Sequence, residues 1–134
     1  MKRILLVDDH QMAREALKHF LEMQGYSIEE AENGAVGLAL IQQGRSFDLV
    51  ISDNQMPVMT GLEFIQRLAQ QSYISTHPLI MYSGQLTPEL EQQVRALGAM
   101  RFSKNPTIYK ICSLSFVRLF QILTLERKNA FLRQ

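Results

Sequence analysis

The sequence predicts an α/β protein built on a five-stranded, doubly wound parallel sheet. Three observations predict it. Short apolar runs alternate along the chain with stretches of helical period, and strands separated by helices of this length pair in parallel through right-handed crossovers. Glycines and helix-capping residues fall between the runs, where turns are needed. Two of the apolar runs end in carboxylates, Ile4-Leu5-Leu6-Val7 in Asp8-Asp9 and the run over 47–52 in Asp53. In open parallel sheets, sites are built at those carboxyl ends.

Ile4 to Val7 forms the first strand. Met12, Ala16, Leu17, Phe20 and Leu21 then follow the helical period, and Gly25 stops that helix. A second strand covers 27–31. Asn33 caps a helix that runs to about Gln43 and is ended by Gly44. The third strand covers 47–52 with Val50-Ile51 as its buried centre. Thr60-Gly61-Leu62-Glu63 reads as a capping box, Thr60 accepting from the backbone of Glu63 while Glu63 reaches back, and the helix it opens runs to about Gln71. The fourth strand covers 79–83 and ends in Ser83, followed by Gly84. Thr87 caps the next helix with Pro88 in its first position, where the missing donor costs little. Gly98 stops it, 101–103 form the fifth strand, and a last helix begins after Pro106. The expected architecture is flavodoxin-like.

A chain of 134 residues with 46% hydrophobic content suits one compact domain with a single core. Its net charge of +1 gives no general electrostatic pull toward nucleic acid or an acidic membrane. There is no helix-turn-helix or basic segment, so no direct nucleic-acid contact is expected. The lone Cys112 excludes an intramolecular disulfide, and strand residues begin almost at Met1, where a secretory leader would stand. A cytoplasmic setting is the expectation. The stretch 111–125 is strongly apolar but is interrupted by Arg118 and Gln121, and it is shorter than the ~20 residues of a spanning helix. It reads as a packed or partner-seeking helix, not a membrane span.

Asp8, Asp9 and Asp53 would meet at one sheet edge, where clustered carboxylates repel unless a cation joins them. Hard oxygen donors suit Mg²⁺. His10, His19 and His77 have no ligand spacing among themselves, so no metal is assigned to them. The methionines, including Met12, Met56, Met59 and Met81, are expected to fill core or loop space.

Several ordered motifs carry a resemblance: Val7-Asp8-Asp9, Ser52-Asp53-Asn54-Gln55-Met56-Pro57 with Met59-Thr60-Gly61, Met81-Tyr82-Ser83-Gly84, and Gly98-Ala99 with Pro106 downstream. Together they resemble the receiver domain of two-component response regulators, from Lys2 to about Leu123. The resemblance implies that Asp53 accepts a phosphoryl group from a phosphohistidine on a histidine kinase or phosphotransfer protein. It gives Mg²⁺ to Asp8, Asp9, Asp53 and the backbone carbonyl of Gln55. Ser83 would donate its hydroxyl to a phosphoryl oxygen and Phe102 would be the switching aromatic, changing the surface of the fourth helix, fifth strand and last helix. The chain is then a phosphoryl acceptor in a phosphorelay, not an enzyme.

The main departure from the family lies at the fifth strand. Relatives carry a lysine just before the proline, where this chain has Asn105, while Lys104 stands one residue early. Neighbouring strand residues point to opposite faces, so Lys104 replaces the missing ammonium only if a bulge re-aims it. Asn105 could hydrogen-bond a phosphoryl oxygen without charge assistance. It keeps open a second reading, a degenerate receiver that binds its partner without phosphate. An aspartate-based phosphohydrolase of the haloacid dehalogenase kind is the enzyme alternative, and Asp8-Asp9-His10 fits its Asp-x-Asp pattern poorly. The receiver is expected over 1–123 and its last helix with an apolar extension over 107–134. There Ile108, Ile111, Cys112 and Leu119 can cover the sheet, whereas Phe116, Val117, Phe120, Leu123 and Leu125 present apolar groups on more than one face. A second copy of the chain or an output domain is the expected contact.

Overall fold

Parallel pairing organises the computed structural model, which describes residues 2–74, 77–82, 87–98 and 101–103. Strand β1 (Arg3–Val7), helix α1 (Gln11–Met23), strand β2 (Ser27–Ala31), helix α2 (Gly34–Gln42), strand β3 (Leu49–Asp53), helix α3 (Gly61–Gln70), strand β4 (Leu79–Tyr82), helix α4 (Pro88–Ala96) and strand β5 (Arg101–Ser103) follow one another. The sheet runs β2-β1-β3-β4-β5 with every pair parallel. This is the predicted fold. The expected last helix, Ser83, Lys104 and Asn105 lie outside the described residues.

Alternate residues of the inner strands feed two separate cores. Ile4, Leu6, Leu49, Ile51 and Ile80 pack with Leu17 and Leu21 of α1 on one face. Leu5, Val7, Val50, Leu79 and Met81 pack on the other with Ile41 of α2, Phe64, Ile65 and Leu68 of α3, and Val94 of α4. Strands covered on both sides read as unbroken apolar runs.

The caps are those expected. Asn33 accepts from the Val36 N–H at 3.0 Å, Thr60 from Glu63 at 3.2 Å and Thr87 from Leu90 at 3.1 Å. In the capping box, however, the Glu63 carboxylate accepts from the Thr60 hydroxyl at 3.2 Å instead of from the Thr60 backbone. Gly25 and Gly44 end α1 and α2 with φ of 93° and 87°, a conformation costly to any residue with a Cβ. Strand β3 starts at Leu49, and Asp48 just before it clasps β1: its N–H donates to the Arg3 carbonyl and its carboxylate accepts from the Arg3 N–H, both at 2.8 Å.

One expectation fails in α1. Met12 is 85% exposed and Ala16 is also on the surface. Leu17 and Leu21 set the buried stripe, and Met12, five residues before Leu17, lies about 140° around the helix from it. Met56 and Met81 are buried, as expected.

On the outer strand β2, Glu29 pairs with Arg3 and Arg45, and Glu30 with Arg14 and Lys18.

The β3–α3 connection holds two constraints. The Asn54 carbonyl accepts from Met56 and Gly61, and its side-chain oxygen accepts from Leu62, so the loop is tied to the first turn of α3. A Cβ on Gly61 would overlap the Asp53 carbonyl oxygen and lie 2.8 Å from Asn54 Cα and 2.9 Å from Met81 Cε. Further along, Met59 donates to the Pro57 carbonyl at 2.7 Å across Val58, whose φ is 68°. That is a γ-turn with a β-branched residue in the left-handed region, 80% exposed.

Gly61→Ala is expected to lower stability by about 2–3 kcal/mol in urea unfolding, since the overlap is with fixed backbone. Val58→Gly should raise it by about 1 kcal/mol, because relief of left-handed strain outweighs the added chain entropy. A fall on Val58→Gly would show that the turn is unstrained.

Candidate functional site: an acidic pocket at the carboxyl ends of β1 and β3

The order β2-β1-β3 makes β1 and β3 neighbours, with Val7 opposite Ser52. The residues that follow, Asp8 and Asp53, are therefore delivered to one edge. Asp8 is held by its N–H on the Ala31 carbonyl at 3.1 Å and is buried. Its Oδ1 accepts from the His10 N–H at 2.9 Å, which turns the chain into α1. Asp53 is only 8% exposed, and its Oδ1 accepts from the Gln55 N–H at 3.3 Å. One donor atom each from Asp8, Asp9, His10 and Asp53 fall within 4.8 Å of one another. At that separation two carboxylates repel by roughly 3–4 kcal/mol for an effective dielectric near 20.

Two electrostatic consequences follow. Burial, then the charge of Asp8, raises the Asp53 carboxyl to about 6, against the lowering effect of the Gln55 and Asn54 N–H groups. The charge of Asp9 and the hydrogen bond to Asp8 raise the His10 imidazole above its ordinary value.

Residues 4–111 match the response regulator receiver domain. The chain belongs to that family. Among solved structures, this receiver domain is 39% identical to the chemotaxis protein CheY4 of Vibrio cholerae, covering 84% of this chain and 97% of that one with a TM-score of 0.72. It is 32% identical to the response regulator TrrA of Thermotoga maritima in complex with Mg²⁺-BeF, covering 78% and 87% with a TM-score of 0.66. It is also 32% identical to the sensory/regulatory protein RpfC of Xanthomonas campestris over 79% of this chain, but it spans only 15% of that protein's length. It spans 12% of the gliding motility regulatory protein of Myxococcus xanthus.

Of the site residues predicted from sequence, the receiver fold brings Asp8, Asp9 and Asp53 together, with Gln55 beside them through its N–H. Phe102 lies in β5 opposite Met81. Two residues were missed. His10 enters the pocket, its Nδ1 3.3 Å from Asp9 Oδ1 and 3.4 Å from Asp8 Oδ1. The signal was its adjacency to Asp8-Asp9, not a spacing to another histidine. Arg14 donates from Nη1 to the Asp8 carbonyl at 2.6 Å while its Nε donates to Glu30 at 3.2 Å, fixing the peptide that carries Asp9.

A hard cation fits this donor set. Asp9 Oδ1 is shielded from water and accepts no hydrogen bond, although it stands in a cluster of negative charge. Such an atom is costly unless a positive partner supplies what solvent no longer does.

The raised Asp53 value has a sign that can be tested. The folded chain binds this proton more tightly than the unfolded chain, so stability falls as pH rises from the ordinary aspartate value of 3.8 to about 6, and the full destabilisation persists above that. Asp53→Asn is expected to stabilise the metal-free protein by about 1–2 kcal/mol above pH ~7, with the gain vanishing below pH ~4. Denaturant titrations across that range check it, and a gain independent of pH would refute the assignment.

Proposed function

We propose that this chain is a phosphorelay receiver in which the Asp53 carboxylate accepts a phosphoryl group from a phosphohistidine of a histidine kinase or phosphotransfer protein. The observation that carries the reading is the convergence of Asp53 with Asp8 and Asp9 at the carboxyl ends of two adjacent strands. An Asp53 oxygen attacks phosphorus as the phosphorus–nitrogen bond breaks, and the imidazole leaves with the electron pair and takes up a proton. A carboxylate is a weak nucleophile, so holding it in line does most of the work. The N–H groups of Asn54 and Gln55 steady it, and Gly61 lets the start of α3 pack directly on its backbone.

Asp8, Asp9, Asp53 and the Gln55 carbonyl would hold Mg²⁺. When bound, Mg²⁺ supplies the positive charge that offsets the carboxylates and the phosphoryl oxygens. Asp53 has to be ionised to attack. With its carboxyl at about 6 in the bare site, most of it is ionised at neutral pH. Ser83 would receive a phosphoryl oxygen, and Phe102 would turn in response, altering the surface of α4, β5 and the last helix. Asn105 would give the phosphoryl group a neutral donor where relatives of this family supply a lysine, and Lys104 would reach it only if a bulge re-aimed it. The receiver is assigned to 1–123, and the apolar groups of 107–134 to contact with a second copy. A cytoplasmic setting belongs to the same proposal.

Incubation with acetyl phosphate and Mg²⁺ followed by intact-mass measurement tests the reading. A phosphoryl adduct is expected that disappears on Asp53→Ala or on chelation of the metal. No adduct from a folded, Mg²⁺-binding protein would overturn it.

A further inference from the structure

We propose that His10 is a metal-selecting ligand, adding an imidazole nitrogen to the carboxylates of Asp8, Asp9 and Asp53. The site would then take borderline divalent transition metals more tightly than its carboxylates alone could. This rests on the acidic pocket being a cation site and names the class of cation it favours.

The local chain sets up the contact. His10 is the residue immediately before α1, a position where Ser, Thr, Asp or Asn usually bonds a backbone N–H of the first turn. Its side chain makes no such bond. The Asp8 Oδ1 accepts from the His10 N–H instead, and the tight turn that results swings the ring back over the two carboxylates. Nδ1 then lies 3.3 and 3.4 Å from one oxygen each of Asp9 and Asp8. Donor atoms at right angles around a cation with bonds of about 2.1 Å stand about 3 Å apart, so Nδ1 is spaced as a neighbouring ligand would be. The nearest Asp9 oxygen is the shielded one that accepts no hydrogen bond. The ring itself is 69% exposed and can adjust without disturbing either core.

Chemistry decides which cations gain. Mg²⁺ keeps to oxygen donors and draws little from imidazole, whereas Mn²⁺, Co²⁺ and Ni²⁺ gain progressively from a nitrogen ligand. An imidazolium that only balances the carboxylates would behave otherwise. It would compete with every divalent cation alike.

Calorimetric titration of the whole chain with each of these four ions, at about pH 8.5 to favour the neutral imidazole, separates the cases. His10→Ala and the polar His10→Gln are compared with the unaltered protein, and circular dichroism checks that each is folded. The expected result is an affinity loss that grows in the order Mn²⁺, Co²⁺, Ni²⁺ and reaches at least about tenfold for Ni²⁺, with Mg²⁺ unchanged within about twofold. Equal losses for all four ions, a gain for all four, or no change would each overturn the proposal. Asp9→Ala reports separately on the underlying reading: if it leaves Mg²⁺ affinity intact, the acidic pocket is not the cation site and both conclusions fall.

Discussion

Parallel pairing of β1 with β3 is the constraint on which the rest depends. The side chains of these strands are buried on both faces of the sheet, so their register cannot slip without turning each apolar residue toward the wrong helical layer. That register carries Asp8 and Asp53 to one edge against their mutual repulsion. Burial of two apolar cores thus supplies the free energy that holds like charges together. The penalty appears as the raised Asp53 carboxyl and the unbonded Asp9 oxygen.

The pocket is braced from two directions. Arg14 reaches from α1 to the Asp8 carbonyl, and Glu30 on β2 holds the guanidinium in place. On the other side, Asn54 ties the loop after β3 to the start of α3, and the bare Cα of Gly61 allows the helix to rest on the Asp53 carbonyl. A movement of the Asp53 backbone would therefore be passed directly to α3 and to the turn at Val58.

Much of this was legible in the sequence, for identifiable reasons. Caps and stops are local, so Asn33, Thr60, Thr87, Gly25 and Gly44 announced their helices correctly. The parallel, doubly wound sheet followed from alternation of strands and helices, and Asp8, Asp9 and Asp53 from their places at run ends. What escaped depends on distance in space. The stripe of α1 was drawn too wide at Met12 and Ala16, because periodicity alone does not say where the sheet meets the helix. Arg14 and Asn54 act through backbone atoms, which no side-chain pattern reveals. His10 was compared with other histidines, whereas its partners are the carboxylates beside it.

The outer strand β2 has one further consequence. Its far side is a row of backbone donors and acceptors, the template on which chains of different molecules can join into larger sheets. Glu29 and Glu30 crowd that strand with Arg3, Arg45, Arg14 and Lys18. A strand docking on β2 would have to pack beside the charged side chains of Glu29 and Glu30. The ion pairs that add little to folding thus have a second use, as charged groups beside the open edge that make it a poor template for strand addition.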